Sequence, residues 1–204
     1  MRNTSPKLYV RAVVLTDFRG NTNMERNFVL IALFAALIAA LGLIPKITLA
    51  TGVPITAQSM GIMLCGTVLG AKRGFLAVLL FVFLVALGLP LLSGGRGGLG
   101  LFASPSVGFL IGFPIAAFVT GFIVERLTGL SVLAASLIGA VLGGIVVLYI
   151  PGVLGMAVML EKSPLASLGL MTPFIPGDVI KAVLTAVITA AIYKARPNSV
   201  LSRA

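Results

Sequence analysis

The chain has no histidine and no tryptophan, one cysteine, and five acidic residues among 204. Without histidine, no catalytic triad or dyad built on imidazole is possible, and the commonest metal ligand is gone. A single cysteine excludes an internal disulfide framework, and together with the lack of histidine it argues against a transition-metal cage. Cys65 lies in an apolar stretch and reads as a small packing residue. The lack of tryptophan removes one strong stacking platform for nucleic-acid bases. Charge of either sign is scarce: 10% of residues are charged against 59% hydrophobic, and the mean hydropathy is +1.16. Such a chain cannot cover itself with polar surface, so a bilayer is its expected solvent.

What charge there is leans basic, with a net +10. The lysines and arginines flank apolar runs and form no basic face with interleaved aromatics, which favours a membrane surface over nucleic acid as the partner. Runs of about 17 to 20 apolar residues suffice to cross a hydrocarbon core of about 30 Å. Six spans are predicted, near 28–44, 54–70, 74–92, 107–124, 131–150 and 178–194, giving an all-α, six-helix membrane bundle. The second holds Thr56, Gln58 and Ser59 and is expected to face protein or a cavity more than lipid. Pro114 interrupts the fourth, which is tolerated where neighbouring helices satisfy the freed carbonyl.

Residues 1–27 form a polar N-terminal extension, 28–194 the membrane domain and 195–204 a short tail. Met24, leading through Glu25-Arg26-Asn27 into the first span, is an alternative start. No small-residue cleavage site ends the first apolar run, and further spans follow, which argues against a signal peptide. Orientation follows from the cations. With the N-terminus inside, Arg2, Lys7, Arg11, Arg19, Arg26, Lys72, Arg73, Arg126, Lys194, Arg196 and Arg203 are cytoplasmic. Only Lys46, Arg96 and Lys162 then lie outside, so both termini are predicted to be cytoplasmic.

Four constellations stand out. Pro173-Phe-Ile-Pro-Gly-Asp178-Val-Ile-Lys181 opens the last span and puts a carboxylate and an ammonium on one helical face. Charges within a span are costly unless they pair or line a polar cavity. Asp178 therefore either caps the helix, with Lys181 snorkelling outward, or the two contact a ligand; both can hold together. Ser93-Gly-Gly-Arg96-Gly-Gly-Leu-Gly100 is either a flexible turn or a gate whose Arg96 meets a ligand anion. It has no Gly-Lys-Ser/Thr ending and is not a phosphate-binding loop. Gln58 either bonds helix to helix or lines a pocket. Ala32, Ala36 and Ala40 form a small-residue stripe suited to close helix approach, within the bundle or to a separate membrane subunit. Gly108/Gly112 and Gly139/Gly143 repeat the device, and packing within the bundle is the favoured reading for both.

These residues resemble the BioY family, the biotin-capturing S components of energy-coupling factor (ECF) transporters. The resemblance is carried by Pro173–Lys181, by Val53-Pro-Ile-Thr-Ala-Gln58, by Gly88-Leu-Pro90 with the glycine-rich loop after it, and by Gly108-Phe-Leu-Ile-Gly-Phe113. It spans roughly 28–194 and departs at Ser104-Pro-Ser-Val-Gly-Phe109, where Gly-Pro-Thr-Gly-Gly-Tyr is expected. The resemblance implies a six-helix protein of the bacterial inner membrane that binds biotin near its outer face. It also implies docking, through the first helix with its Ala32/Ala36/Ala40 stripe, on a coupling subunit driven by an ATPase pair; some relatives act alone or as oligomers. Asp178, Lys181 and Gln58 then answer the ureido ring, whose two N–H groups donate and whose carbonyl accepts, and Arg96 answers the valerate carboxylate. Lys181 suits either end.

A second reading is an ion or small-solute channel or carrier with Asp178 and Lys181 along its path, though pores favour rings of like groups. An intramembrane enzyme fares worst, because no paired carboxylates and no nucleophile–base dyad are present. No resident cofactor or metal is expected, and no nucleotide-binding motif is found, so any ATP hydrolysis belongs to partner subunits.

Overall fold

The computed structural model describes residues 6–48 and 53–203, with side chains from Met24 onward except those of Ile47 and Thr48. The first helix, α1, runs Pro6–Leu41 and so begins well before the apolar residues at Phe28. Arg2, and the side chains of Lys7, Arg11 and Arg19 that enter the orientation count, lie outside the described residues.

After α1 the chain departs from the expected second span. β1 (Ile47–Thr48) and β2 (Pro54–Ile55) pair antiparallel, and helix α2 starts only at Gln58, ending at Leu69. Pro54 has no N–H to give a helix or an inner strand, and a short edge strand is one of the few places that tolerate it. The Thr56 hydroxyl accepts the Gln58 N–H at 3.3 Å, which fixes where the helix begins. Gly70, at φ +83°, breaks the chain between α2 and α3 (Ala71–Ala86). Glu125 accepts the otherwise orphaned Ala71 N–H at 2.8 Å, tying α3 to the end of α4 (Val107–Arg126).

α4 is the central element, packed against α2, α3 and α5, and it carries Pro114 without breaking. The helix Val132–Val141 continues through a π-helical turn, Leu142–Val147, into Leu148–Met159; the three form one long helix, α5. A short helix α6 (Pro164–Gly169) and a 3₁₀ turn lead into α7 (Ile175–Ala195).

By length and composition four stretches can cross a membrane: Met24–Leu41, Val107–Arg126, Val132–Met159 and Pro164–Ala195. The other two predicted spans fall on shorter helices. At 12 residues α2 reaches about 18 Å, and at 16 residues α3 reaches about 24 Å, both short of a core of about 30 Å. The small hairpin qualifies the all-α expectation.

The glycine pairs serve internal packing. A Cβ on Gly108 would meet the Pro151 carbonyl, and one on Gly139 would meet Thr120 on α4. Cys65 is buried and free, as a packing residue should be. The C-terminal residues, predicted as a tail, fold back onto the bundle. Val200 is buried, Ser202 donates to the Thr67 carbonyl, Arg203 donates to Leu127 O at 2.9 Å, and Arg26 donates to Asn198 O at 2.8 Å.

Candidate functional site

Pro176 lies in the first turn of α7, where its missing N–H costs nothing, and the i,i+3 spacing sets Asp178 and Lys181 side by side. The ammonium lies 2.8 Å from Asp178 Oδ1, and both side chains are largely withdrawn from solvent. No side chain caps α7, so the capping role foreseen for Asp178 is not the one it has. Its carboxylate is instead the centre of a polar cluster. Lys181 donates to Ser59 Oγ at 3.0 Å, Ser59 Oγ donates to Asp178 Oδ1 at 3.3 Å, and the Tyr149 hydroxyl donates to Oδ2 at 2.8 Å. Nor does Lys181 snorkel outward; it is held inside by two acceptors.

Tyr149 was not foreseen. It lies just after the π turn of α5, where one extra residue rotates everything beyond by about 100° from the α-helical phase. Gly143 and Gly144 lie within that turn, packed against Thr120 and Met63 with no room for a Cβ. A lone tyrosine two residues before Pro151 in an otherwise apolar run was the available signal. Changing Tyr149 to Phe removes one charge-assisted hydrogen bond, worth about 1.5–3 kcal/mol, and leaves the packing intact. The expected result is a ligand affinity about tenfold weaker with little change in helical content; an unchanged affinity would make Tyr149 a bystander.

Gln58 is buried at the start of α2, but its amide is committed to backbone. Nε2 donates to Ile38 O at 3.2 Å and Leu91 O at 3.0 Å, and Oε1 accepts from Ser93 N at 3.0 Å. It joins α1, α2 and the loop after α3. That loop closes through a Leu92–Arg96 bridge, with Gly94 and Gly95 at positive φ where side chains are strained. Arg96 Nε reaches only Ser93 O, at 3.4 Å, and no carboxylate pairs with the guanidinium among the described residues. Partial burial lowers its pKa, yet a guanidinium stays charged at any physiological pH.

All four residues singled out in the sequence, Asp178, Lys181, Gln58 and Arg96, line one cavity with the β2 hairpin, Phe109, Phe113 and Phe174. Phe109 and Phe174 stack at 6.2 Å and form an apolar part of its wall. The cavity holds about 70 Å³, less than the roughly 300 Å³ of a typical small-molecule pocket, so a ligand must displace a wall. The loop that carries Arg96 forms one of those walls.

The profile of the BioY family matches residues 14–198. The chain belongs to the BioY family. A biotin transporter BioY of Rhodobacter capsulatus is 54% identical over 88% of this chain and the whole of the relative. One from Rhizobium etli is 52% identical over 84% of this chain and 95% of that protein. A crystal structure of the S component for biotin from an ECF-type ABC transporter superposes with a TM-score of 0.80 at 36% identity, covering 85% of this chain and 94% of that one.

Within this BioY fold, the segment that departs from the expected motif also faces the cavity. Phe109 supplies a ring with no hydroxyl, while the Ser106 hydroxyl is buried at the cavity with no partner among the described residues.

Proposed function

We propose that this BioY protein captures biotin in the cavity between α2, α7, the hairpin and the Arg96 loop, as the S component of an ECF-type transporter. The observation that carries the reading is the buried Asp178–Lys181 pair on a cavity that also holds the Arg96 guanidinium, which has no carboxylate partner among the described residues. The pair offers one acceptor and one donor to a ureido group, the phenyl wall suits the thioether bicycle, and Arg96 suits the valerate carboxylate. Because Asp178 and Lys181 neutralise each other at 2.8 Å, they suit a binding wall better than an ion path. Gln58 takes a supporting part: both its donors are used, so it holds the loop in place while the other three residues touch ligand.

On this reading α2 and α3 cross as short spans and complete a six-helix, multi-pass bundle in the bacterial inner membrane. Both termini are then cytoplasmic and the cavity opens outward. Ala32, Ala36 and Ala40 are all exposed on α1, while Ala35 and Ile38 of the same helix face the core. That leaves a small-residue face free for a membrane coupling subunit. The chain itself catalyses nothing, and its energy comes from an associated ATPase pair or, in a solitary or oligomeric form, from the ligand gradient.

Calorimetry of the purified protein tests this directly: biotin should bind and the other vitamins tested should not. No heat with biotin would sink the reading. The Arg96 assignment makes a sharper claim. Arg96→Gln should weaken biotin by about tenfold to a hundredfold, the worth of one charge-assisted contact. Biotin methyl ester, which lacks the carboxylate, should bind both proteins alike. An equal loss for acid and ester would show that Arg96 acts elsewhere.

A further inference from the structure

At the opposite end of the bundle from the biotin cavity, a second cleft lies between α3 and α4. It measures about 500 Å³ and is lined by Lys72, Arg73 and Arg126 together with Phe118 and Phe122. Glu125 also lines it, but its carboxylate accepts the Ala71 N–H, and no cation of the cleft forms an ion pair among the described residues. The cleft therefore keeps a net positive charge. Below the cations runs a ladder of rings. Phe122 lies 5.0 Å under the Arg126 guanidinium, Phe118 stacks on Phe122 at 6.2 Å, and Phe75 meets Phe118 edge-on at 6.4 Å.

The ladder points to the kind of ligand. Phe118 lies eight residues before Arg126, about 12 Å down the helix and inside the hydrocarbon layer of a protein embedded as above. It and Phe122 are 39% and 41% exposed, open to lipid. A soluble anion could use the cations but not rings at that depth. We infer that this cleft is a binding site for an anionic phospholipid, its phosphate between Lys72, Arg73 and Arg126 and one acyl chain along Phe122, Phe118 and Phe75. Basic pockets between spanning helices at the cytoplasmic leaflet hold acidic headgroups by the same physics. The α3 N-terminus adds to the field, since the Lys72 and Arg73 N–H groups precede the helical ladder. The site belongs to the same positive end as Arg203, which bonds to Leu127 beside Arg126. It gives the three cations a specific ligand instead of only a share in orientation.

Native mass spectrometry of detergent-purified protein, offered equal amounts of phosphatidylglycerol and phosphatidylcholine, tests the site. The protein should retain phosphatidylglycerol preferentially, and inorganic phosphate should not displace it. Changing Lys72, Arg73 and Arg126 together to Gln should lower that preference by about a hundredfold, at about 1 kcal/mol per cation. The double change Lys194→Gln with Arg196→Gln, which removes equal-sign charge from the same end, should leave the preference intact. If the triple variant does not fold, Arg126→Gln alone gives the same readout at smaller amplitude, because this exposed side chain lies over the Phe122 ring and makes no hydrogen bond or ion pair among the described residues. An equal effect from the Lys194/Arg196 variant, or displacement by phosphate, would overturn the proposal.

Discussion

Replacing Asp178 with alanine should weaken biotin binding by about a hundredfold or more, and calorimetry on the folded variant measures it. The size follows from the company the carboxylate keeps. Asp178 is 5% exposed and takes hydrogen bonds from Lys181, Ser59 and Tyr149. Removing it strands an ammonium that is itself largely enclosed, and breaking a buried pair in this way costs roughly 3–5 kcal/mol. Part of that cost falls on the unliganded protein, so Tm should drop as well. Two further variants separate the losses. Asp178→Asn keeps the shape and one acceptor, and should retain stability better than affinity, because the ligand loses a charged partner while the helix loses no cap. Lys181→Ala should resemble Asp178→Ala, since either change leaves one uncompensated charge. If Asp178→Ala bound biotin as tightly as the parent, the pair would be a structural tie and the ligand site would have to be sought elsewhere.

The Asp178–Lys181 pair was legible in the sequence because both residues sit on one uninterrupted helix, where spacing alone determines the face. Tyr149 obeys no such rule. The π turn at Leu142–Val147 shifts the phase in mid-helix, and a count at 3.6 residues per turn places the tyrosine wrongly. Gln58 was legible as a buried amide that needs partners, but not as to which ones. Its acceptors, Ile38 and Leu91, lie 20 and 33 residues away on separate elements, and only the packed fold joins them. The expected span from residue 54 failed for a local reason. Apolar Val53, Pro54 and Ile55 have a span's hydropathy but a proline's backbone, and a hairpin that lines the cavity resulted. The docked C-terminus gave little sign: besides the buried Val200, its hold on the bundle is largely through backbone carbonyls, at Thr67 and Leu127 on the bundle and at Asn198 on the segment itself, which no side-chain pattern encodes.

Gln58→Leu is expected to be the most damaging change outside the charged pair. Leucine matches the side chain in size but returns three hydrogen bonds. One of the three is replaceable, because Ile38 O also accepts from Gly42 N at 3.2 Å. The other two are not: Leu91 O and Ser93 N have no other partner among the described residues. Ser93 is 1% exposed, so its N–H would be left without water, at about 1–3 kcal/mol for each orphaned group. Together this predicts a Tm lowered by roughly 5–10 °C, read by a thermal-shift scan. The loop that carries Arg96 hangs from the same two groups, so biotin affinity should fall too, although leucine touches neither end of the ligand. Gln58→Glu should be worse still: the carboxylate keeps the bond from Ser93 N but has no proton to offer two carbonyls that it now repels. A protein with Leu at position 58 that melts and binds biotin like the parent would mean that Gln58 neither holds the loop nor meets the ligand, and that the loop is held by Lys46, which donates to Ser93 O at 3.5 Å, and by Ser93 Oγ, which donates to Ile44 O at 3.4 Å.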